Sequence, residues 1–330
     1  MKKSTIVLII LDILVVIGFF LTYGPISYFR NLLVNTAMKT MSHQYFAYIF
    51  YTEDMVQDIL ASNYFIPINE ETDLDSIVID TKPKKNYKNE YEKELLTRDP
   101  GNEDYKIIDI KVGNSTGYIV AIYDPSKVKL IAMQNFGSKY GEQVSKMCNR
   151  AGGLVCINGG GFEDPTGTGS GIPLGYVIKD SKVIWQTNYN PGNIIGFTQD
   201  NKLLLFNGTG DEAVAKGVRD GLEFGPFLIV NGKSMTIVGD PWGTSPRTAI
   251  AQRKDGVVMF LVIDGENYTN GASLRDMIEV LERYGAYNAA NLDGGHSTSL
   301  VVNGQLYNNP PSVAKKQGGR YVVTGWGLIK

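Results

Sequence analysis

The chain has 330 residues, 43% of them hydrophobic, and a formal net charge of −2. Such a length holds one large domain or two small ones, and the absence of a basic stripe interleaved with aromatics argues against a nucleic-acid partner. His43 and His296 are the two histidines, which excludes a multi-histidine metal centre and leaves an all-oxygen divalent-cation site as the remaining metal option.

Met1-Lys2-Lys3 precedes an apolar run from Ile6 to Leu21, interrupted by Asp12 and Gly18. With Thr22 and Tyr23 the run reaches the length of a short membrane span. The positive pair ahead of it favours an inside N-terminus and an outside remainder. Thr22-Tyr23-Gly24-Pro25 is a poor small-x-small cleavage site, so an uncleaved anchor over residues 1–24 is favoured over a signal peptide. The expectation is a single-pass cell-membrane protein with an extracellular body. Residues 25–103 read as a juxtamembrane helix and a charged connector. Leu33, Ala37 and Met41 recur at helical spacing, which fits an amphipathic helix on the membrane surface and equally a plain stalk. From Glu70 to Lys106 charge is dense, as in a solvated connector with little to bury.

Residues 104–330 form the expected folded domain. Strands are predicted at Ile107–Lys111, Tyr118–Tyr123 and Val128–Met133, a helix at Gly141–Ala151, and a short apolar strand at Leu154–Asn158. Two hairpin-like units follow, Gly175–Lys179 with Val183–Gln186 and Ile194–Thr198 with Lys202–Phe206, and then a helix at Asp211–Val218. Further strands lie at Phe227–Val230, Thr248–Gln252, Val257–Ile263 and Tyr321–Ile329. Ser273–Tyr284 is the clearest helix, with Ser273 as cap and Asp276 completing a capping box. Strands outnumber interspersed helices, so the class is α+β, a single mixed-sheet domain. Cys148 and Cys156 sit eight residues apart. They either pair in an oxidising compartment or lie as two buried thiols.

The chemistry-bearing residues cluster at glycine-rich strand ends. Asn158-Gly159-Gly160-Gly161-Phe162 closes one strand, Ser245-Pro246-Arg247-Thr248 opens another, and Ile263-Asp264-Gly265 closes a third. Asn291-Leu292-Asp293-Gly294-Gly295-His296-Ser297 closes a fourth. Glycines there let backbone amides approach a ligand, and polar groups on loops over a scaffold commonly converge on one rim. Arg247 suits a phosphate, because guanidinium binds its oxygens bidentately and stays charged. Asp293 and Asp264 are the candidate carboxylates, and each is also compatible with an ordinary Asp-Gly turn. Asn158 offers a donor and an acceptor to sugar hydroxyls. The amides of Gly159, Gly160, Gly161, Gly294 and Gly295 are candidates for an anion cradle. His296 is a candidate acid or base. Ser297 lacks the Gly-x-Ser-x-Gly elbow of a serine hydrolase and is retained as a substrate-binding candidate.

These strings, together with Gly225-Pro226, resemble in order the motifs of the phosphodiester glycosidase family, from about Leu154 to the C-terminus. With the anchor, the chain looks like the family's bacterial cell-surface members, often labelled exopolysaccharide biosynthesis proteins. The resemblance implies cleavage between a sugar anomeric carbon and a phosphodiester oxygen, with no cofactor required. It departs at Gly160-Gly161, ahead of the single aromatic Phe162, and at His296, where a third glycine is common. The substrate would be a phosphodiester-linked sugar or surface polysaccharide. Rival readings are a non-catalytic module that binds glycan or phosphate, and a phosphodiesterase with a divalent ion between Asp264 and Asp293.

Overall fold

The computed structural model describes residues 3–38, 44–165, 167–265, 270–311, 314 and 318–330. The chain divides into two compact units, Met1–Phe65 with Ile237–Gly243, and Ile66–Thr236 with Thr244–Lys330.

In the smaller unit, Lys3–Tyr23 forms one helix with no buried residue. At 1.5 Å per residue it is about 31 Å long, which matches the hydrocarbon thickness of a bilayer. Among the described residues it is the one helix long and apolar enough to cross a membrane. Helices Ser27–Met38, Tyr45–Phe50 and Glu53–Ala61 follow. They bury Val34, Ala37, Ala47, Tyr51, Val56 and Ile59 in a common cluster, with Leu33 packed on its edge. The last helix starts where Thr52 accepts a hydrogen bond from the Met55 amide, so its first turn has one fewer orphan donor. Met41 and His43 lie outside the described residues.

The larger unit is an α+β body built on three large sheets and a two-stranded ribbon of Glu142–Gln143 with Tyr321–Val322, antiparallel in every described pair. The seven-stranded sheet runs, in spatial order, Lys233–Ser234, Phe227–Val230, Ala286–Leu292, Arg247–Arg253, Val258–Ile263, Ser115–Ile122 and Tyr105–Val112. A five-stranded sheet holds Gly153–Asn158 between Leu300–Val302 and Thr324–Ile329. Another contains Gly192–Thr198 and Val218–Glu223 as neighbours. Val120, Phe260 and Leu292 from the first sheet, Ile157 and Trp326 from the second, and Val177 and Phe197 from the third share one core. Phe197 meets Trp326 edge-on, with ring centroids 5.5 Å apart, a favoured aromatic geometry. Helix Leu274–Arg283 packs on the strands Ala286–Leu292 and Arg247–Arg253. Central strands are therefore covered on both faces, and every residue of Val258–Ile263 is buried. That explains its unbroken apolar sequence.

Ser273 and Asp276 form the reciprocal cap indicated by the sequence. The strand Val218–Glu223 departs from expectation, because Asp220-Gly221 interrupts the β pattern there while the fold pairs it on both sides. The charged segment before residue 104 also differs from a solvated connector. Ile77, Leu95 and Leu96 are buried. The Val78 amide donates to Lys254 O at 2.8 Å, and Arg253 pairs with Glu92 at 2.6 Å. Its charges face water or a partner while widely spaced apolar residues dock, so the larger unit starts at Ile66 and not at Asp104.

Cys148 and Cys156 form a disulfide that joins helix Val144–Ala151 to strand Gly153–Asn158, whose last residue belongs to the candidate site. Both sulfurs are buried. Replacing both cysteines by alanine should lower unfolding stability by about 2–3 kcal/mol, the loop-closure value for so short a ring. Chemical denaturation of the two proteins checks this, and equal midpoints would show that the bond does not constrain the chain.

Candidate functional site

The strand ends converge as the register dictates. On Arg247–Arg253, Arg247 lies opposite Ile263 of one neighbour and Thr248 lies opposite Leu292 of the other. Arg247, Asp264 and Asp293 thus occupy the same end of three adjacent strands, each about 4.8 Å from the next. The Gly295 amide donates to Pro246 O at 2.8 Å. A β-carbon on Gly294 would lie 2.7 Å from Pro246 O and 3.9 Å from the Arg247 Cα, so only glycine lets this turn close on the arginine strand.

Asn158 brings in the second sheet. Fully buried, it donates from Nδ2 to Asp293 O at 2.6 Å. Its Oδ1 accepts from Thr248 Oγ1 at 2.8 Å and from the Ser299 amide at 3.0 Å. The Asp293 amide donates to Gly159 O at 2.9 Å. Asn158 is therefore a structural junction, with protein groups engaging both the oxygen and the nitrogen of its side-chain amide.

Four of the glycine amides expected to form an anion cradle have protein partners. The Gly159 amide donates to Thr324 O at 2.9 Å and the Gly160 amide to Thr324 Oγ1 at 3.0 Å, because strand pairing with Thr324–Ile329 runs on through this turn. The Gly294 amide supports the Asp293 carboxylate, and the Gly295 amide is taken up by Pro246. These glycines provide close approach of chain segments, and their amides serve internal partners.

Asp264 is buried. Its Oδ1 accepts from Asn308 Nδ2 at 2.7 Å and its Oδ2 from the Asn309 amide at 2.8 Å. Asn308 in turn accepts from the Leu300 amide at 2.8 Å and donates to Thr298 O at 3.3 Å. Asp264 thus supports the segment that follows Asp293. Both of its oxygens are engaged, which weakens its assignment as the second reacting carboxylate or as a metal ligand. Among the described residues no group of three or more His, Cys, Asp and Glu could hold a metal ion. Arg247 is buried, with Nε donating to Ala272 O at 2.9 Å. His296 lies in a single 3-10 turn, Gly295–Ser297, and is partly exposed.

Asp293 is the unusual group. Loss of water around it pushes its pKa up to about 6, opposed by the Ser297 hydroxyl, the charge of Arg320 and the Gly294 amide, with Asp164 adding to the rise. Ser297 Oγ is buried without a well-aligned hydrogen-bond partner among the described residues, although it lies near enough to Asp293 to act on it. Arg320 and Asp164 escaped the sequence reading. Asp164 forms an ion pair with Arg320 and accepts from the Gly169 amide at 2.9 Å. The Arg320 guanidinium also sits 5.2 Å from the centre of the Phe162 ring. The available signal was positional, since both charged residues sit in glycine-rich turns, 164–171 and 318–321.

This arrangement sits within a recognised family. Residues 151–329 match the phosphodiester glycosidase family, and the chain belongs to it. The chain is 29% identical over 187 residues to the SPbeta prophage-derived uncharacterized protein YomE of Bacillus subtilis (strain 168), covering 53% of this chain and 28% of that one. It is 39% identical over 66 residues to N-acetylglucosamine-1-phosphodiester alpha-N-acetylglucosaminidase of Bos taurus, covering 20% of this chain and 12% of that one. The chain thus spans well under a third of either curated relative. The catalytic domain of the zebrafish N-acetylglucosamine-1-phosphodiester alpha-N-acetylglucosaminidase shares the fold, with a TM-score of 0.57 and 22% identity, over 69% of this chain and 82% of that domain.

The raised Asp293 pKa has a stability consequence. Below pH 3.8 the acid is protonated folded and unfolded. As pH rises from there to about 6 the unfolded chain ionises first, so stability falls. Asp293→Asn should therefore stabilise the protein at pH 7.5 by on the order of 2 kcal/mol, allowing for the partial exposure of the side chain, and the gain should vanish by about pH 3.5. Urea denaturation at the two pH values tests this, and a gain independent of pH would contradict it.

Proposed function

We propose that this chain is a membrane-anchored glycosidase that cleaves sugar-1-phosphodiester bonds in a surface glycan or wall polymer outside the cell. The observation that carries the reading is the gathering at one rim of a desolvated carboxyl, Asp293, with the strand end that bears Arg247. Family membership supports glycosidase-type chemistry. The helix Lys3–Tyr23 supports an anchor over residues 1–24, and a structural disulfide fits an oxidising exterior.

In this mechanism the departing group is a phosphate monoester, a weak base that needs charge stabilisation more than a proton. Arg247 supplies that charge from its buried position. The anomeric carbon gains positive charge, and Asp293 meets it, either as nucleophile or as the base that activates water. A pKa of about 6 leaves Asp293 mostly ionised at neutral pH while keeping it basic enough to accept a proton. Gly294 and Gly295 hold the turn close, His296 lines its exposed side, and Ser297 steadies the carboxylate. Asp264 is a positioning residue that acts through Asn308 on the segment after Asp293.

The test is incubation of the detergent-solubilised full chain with synthetic sugar-1-phosphodiesters. Free sugar and a phosphomonoester are expected, and Asp293→Asn should lower kcat by about 100-fold or more. A sugar phosphate as product would mean cleavage of P–O instead. Absence of turnover with retained binding would reduce the protein to a binding module.

A further inference from the structure

Arg320 lies outside the roles assigned above, yet its surroundings are those of a built anion site. Its side chain is 16% exposed and that of its partner Asp164 10%. An ion pair so far removed from water contributes little net stability, so its stabilising effect alone is a weak reason for its presence. The pair is held in place from several directions. The Gly169 amide fixes Asp164, and Gly167 O accepts from Arg320 Nη2 at 3.4 Å. Gly169 has a φ of +87°, and a β-carbon there would lie 2.2 Å from Tyr321 O. The 164–169 turn can therefore press against the backbone at Tyr321 only with glycine at this point. Phe162 lies beneath the guanidinium, a contact that fixes its plane.

One edge of this guanidinium is unmatched. Arg320 Nε is buried and has no hydrogen-bond partner among the described residues. A buried donor left unmatched is costly, and such groups call for an explanation in terms of function. The positive charge of Arg320 also bears on Asp293. A guanidinium offers five N–H donors in a planar fork, and Asp164 and Gly167 are both met through Nη2. Nε is thus a donor that neither Asp164 nor Gly167 engages, and an oxygen of a bound phosphate that displaced the groups packed over it would satisfy it. Asp164 keeps the group from turning while leaving that donor unmatched.

We propose that Arg320, held by Asp164 over Phe162, is a second phosphate-binding guanidinium of the site and engages the substrate phosphodiester beside Asp293. The assignment of the phosphodiester as the ligand rests on the glycosidase reading, whereas the anion site itself does not require turnover. Inorganic phosphate is the probe, titrated calorimetrically into the full chain in detergent. The wild-type protein should bind it, and Arg320→Met should weaken binding at least tenfold when titrated at a temperature at which circular dichroism shows the variant, with Asp164 left unpaired, still folded. Arg320→Lys, which keeps the charge and loses the fork, should fall between them. Asp164→Asn removes a competing negative charge while its amide oxygen can still accept from Arg320 and hold the group, so phosphate binding should persist. A purely structural ion pair would make Arg320→Met and Asp164→Asn lose binding alike, and that result would overturn the proposal. So would wild-type affinity in Arg320→Met, or no phosphate binding by the wild-type chain. Phosphate binding that depends on Arg320, in a protein that turns over no sugar phosphodiester, would sustain this site and remove the glycosidase assignment alone.

Discussion

The site depends on one buried amide. Asn158 ends a strand of the five-stranded sheet, and its side chain holds Thr248 and Asp293 of the seven-stranded sheet together with the Ser299 amide. These partners come from two stretches of sequence, around Thr248 and from Asp293 to Ser299, each far from Asn158 along the chain. Each hydrogen bond contributes only about 1 kcal/mol net, but leaving any of these buried groups unmatched costs about 1–3 kcal/mol. The asymmetry makes the junction nearly all-or-none. With it closed, the Asp293 backbone is fixed at both its amide, through Gly159, and its carbonyl, through Asn158. Only the side chain of Asp293 is left to respond to its surroundings.

Around that fixed point the charges divide their work. Asp264 is buried and fully hydrogen-bonded, and it supports the chain after Asp293 through Asn308. Asp293 is the carboxyl whose pKa is raised by loss of water, with opposing help from Ser297 and Arg320. Two aspartates in the same Asp-Gly context, on the two strands that flank the arginine strand, thus differ in role because one has donors on both oxygens whereas at the other loss of water outweighs the groups that favour its charge. A group destabilised in this way persists when the surrounding structure over-determines it, and the bonds through Asn158 and Gly159 provide that constraint.

The disulfide and the charged segment act from outside the rim. Cys148–Cys156 ties a helix to the strand that ends in Asn158, so the junction residue is anchored from behind. The segment from Ile66 onward adds Ile77, Leu95 and Leu96 to the buried surface and sets Glu92 against Arg253 at the far end of the arginine strand. Both ends of the strand that carries Arg247 are thereby held.

Much of this was legible in the sequence. The unbroken apolar run of Val258–Ile263 and the reciprocal cap of Ser273 and Asp276 are local patterns, and local patterns report local structure. The glycine-rich strand ends, and Asp293 among them, were visible for the same reason. What the sequence left open depends on groups far apart along the chain. It did not say whether Cys148 meets Cys156, nor that the amides of Gly159 and Gly160 are occupied by Thr324, nor that Asn158 faces inward. Nor did it reveal Arg320, which lies 27 positions beyond Asp293 and acts on it only after the last strand has folded back beside Asn158. Residue types determine which chemistry is available. Burial and the choice of hydrogen-bond partner determine which of those residues remain free to perform it, and both are set by long-range packing that only the tertiary structure decides.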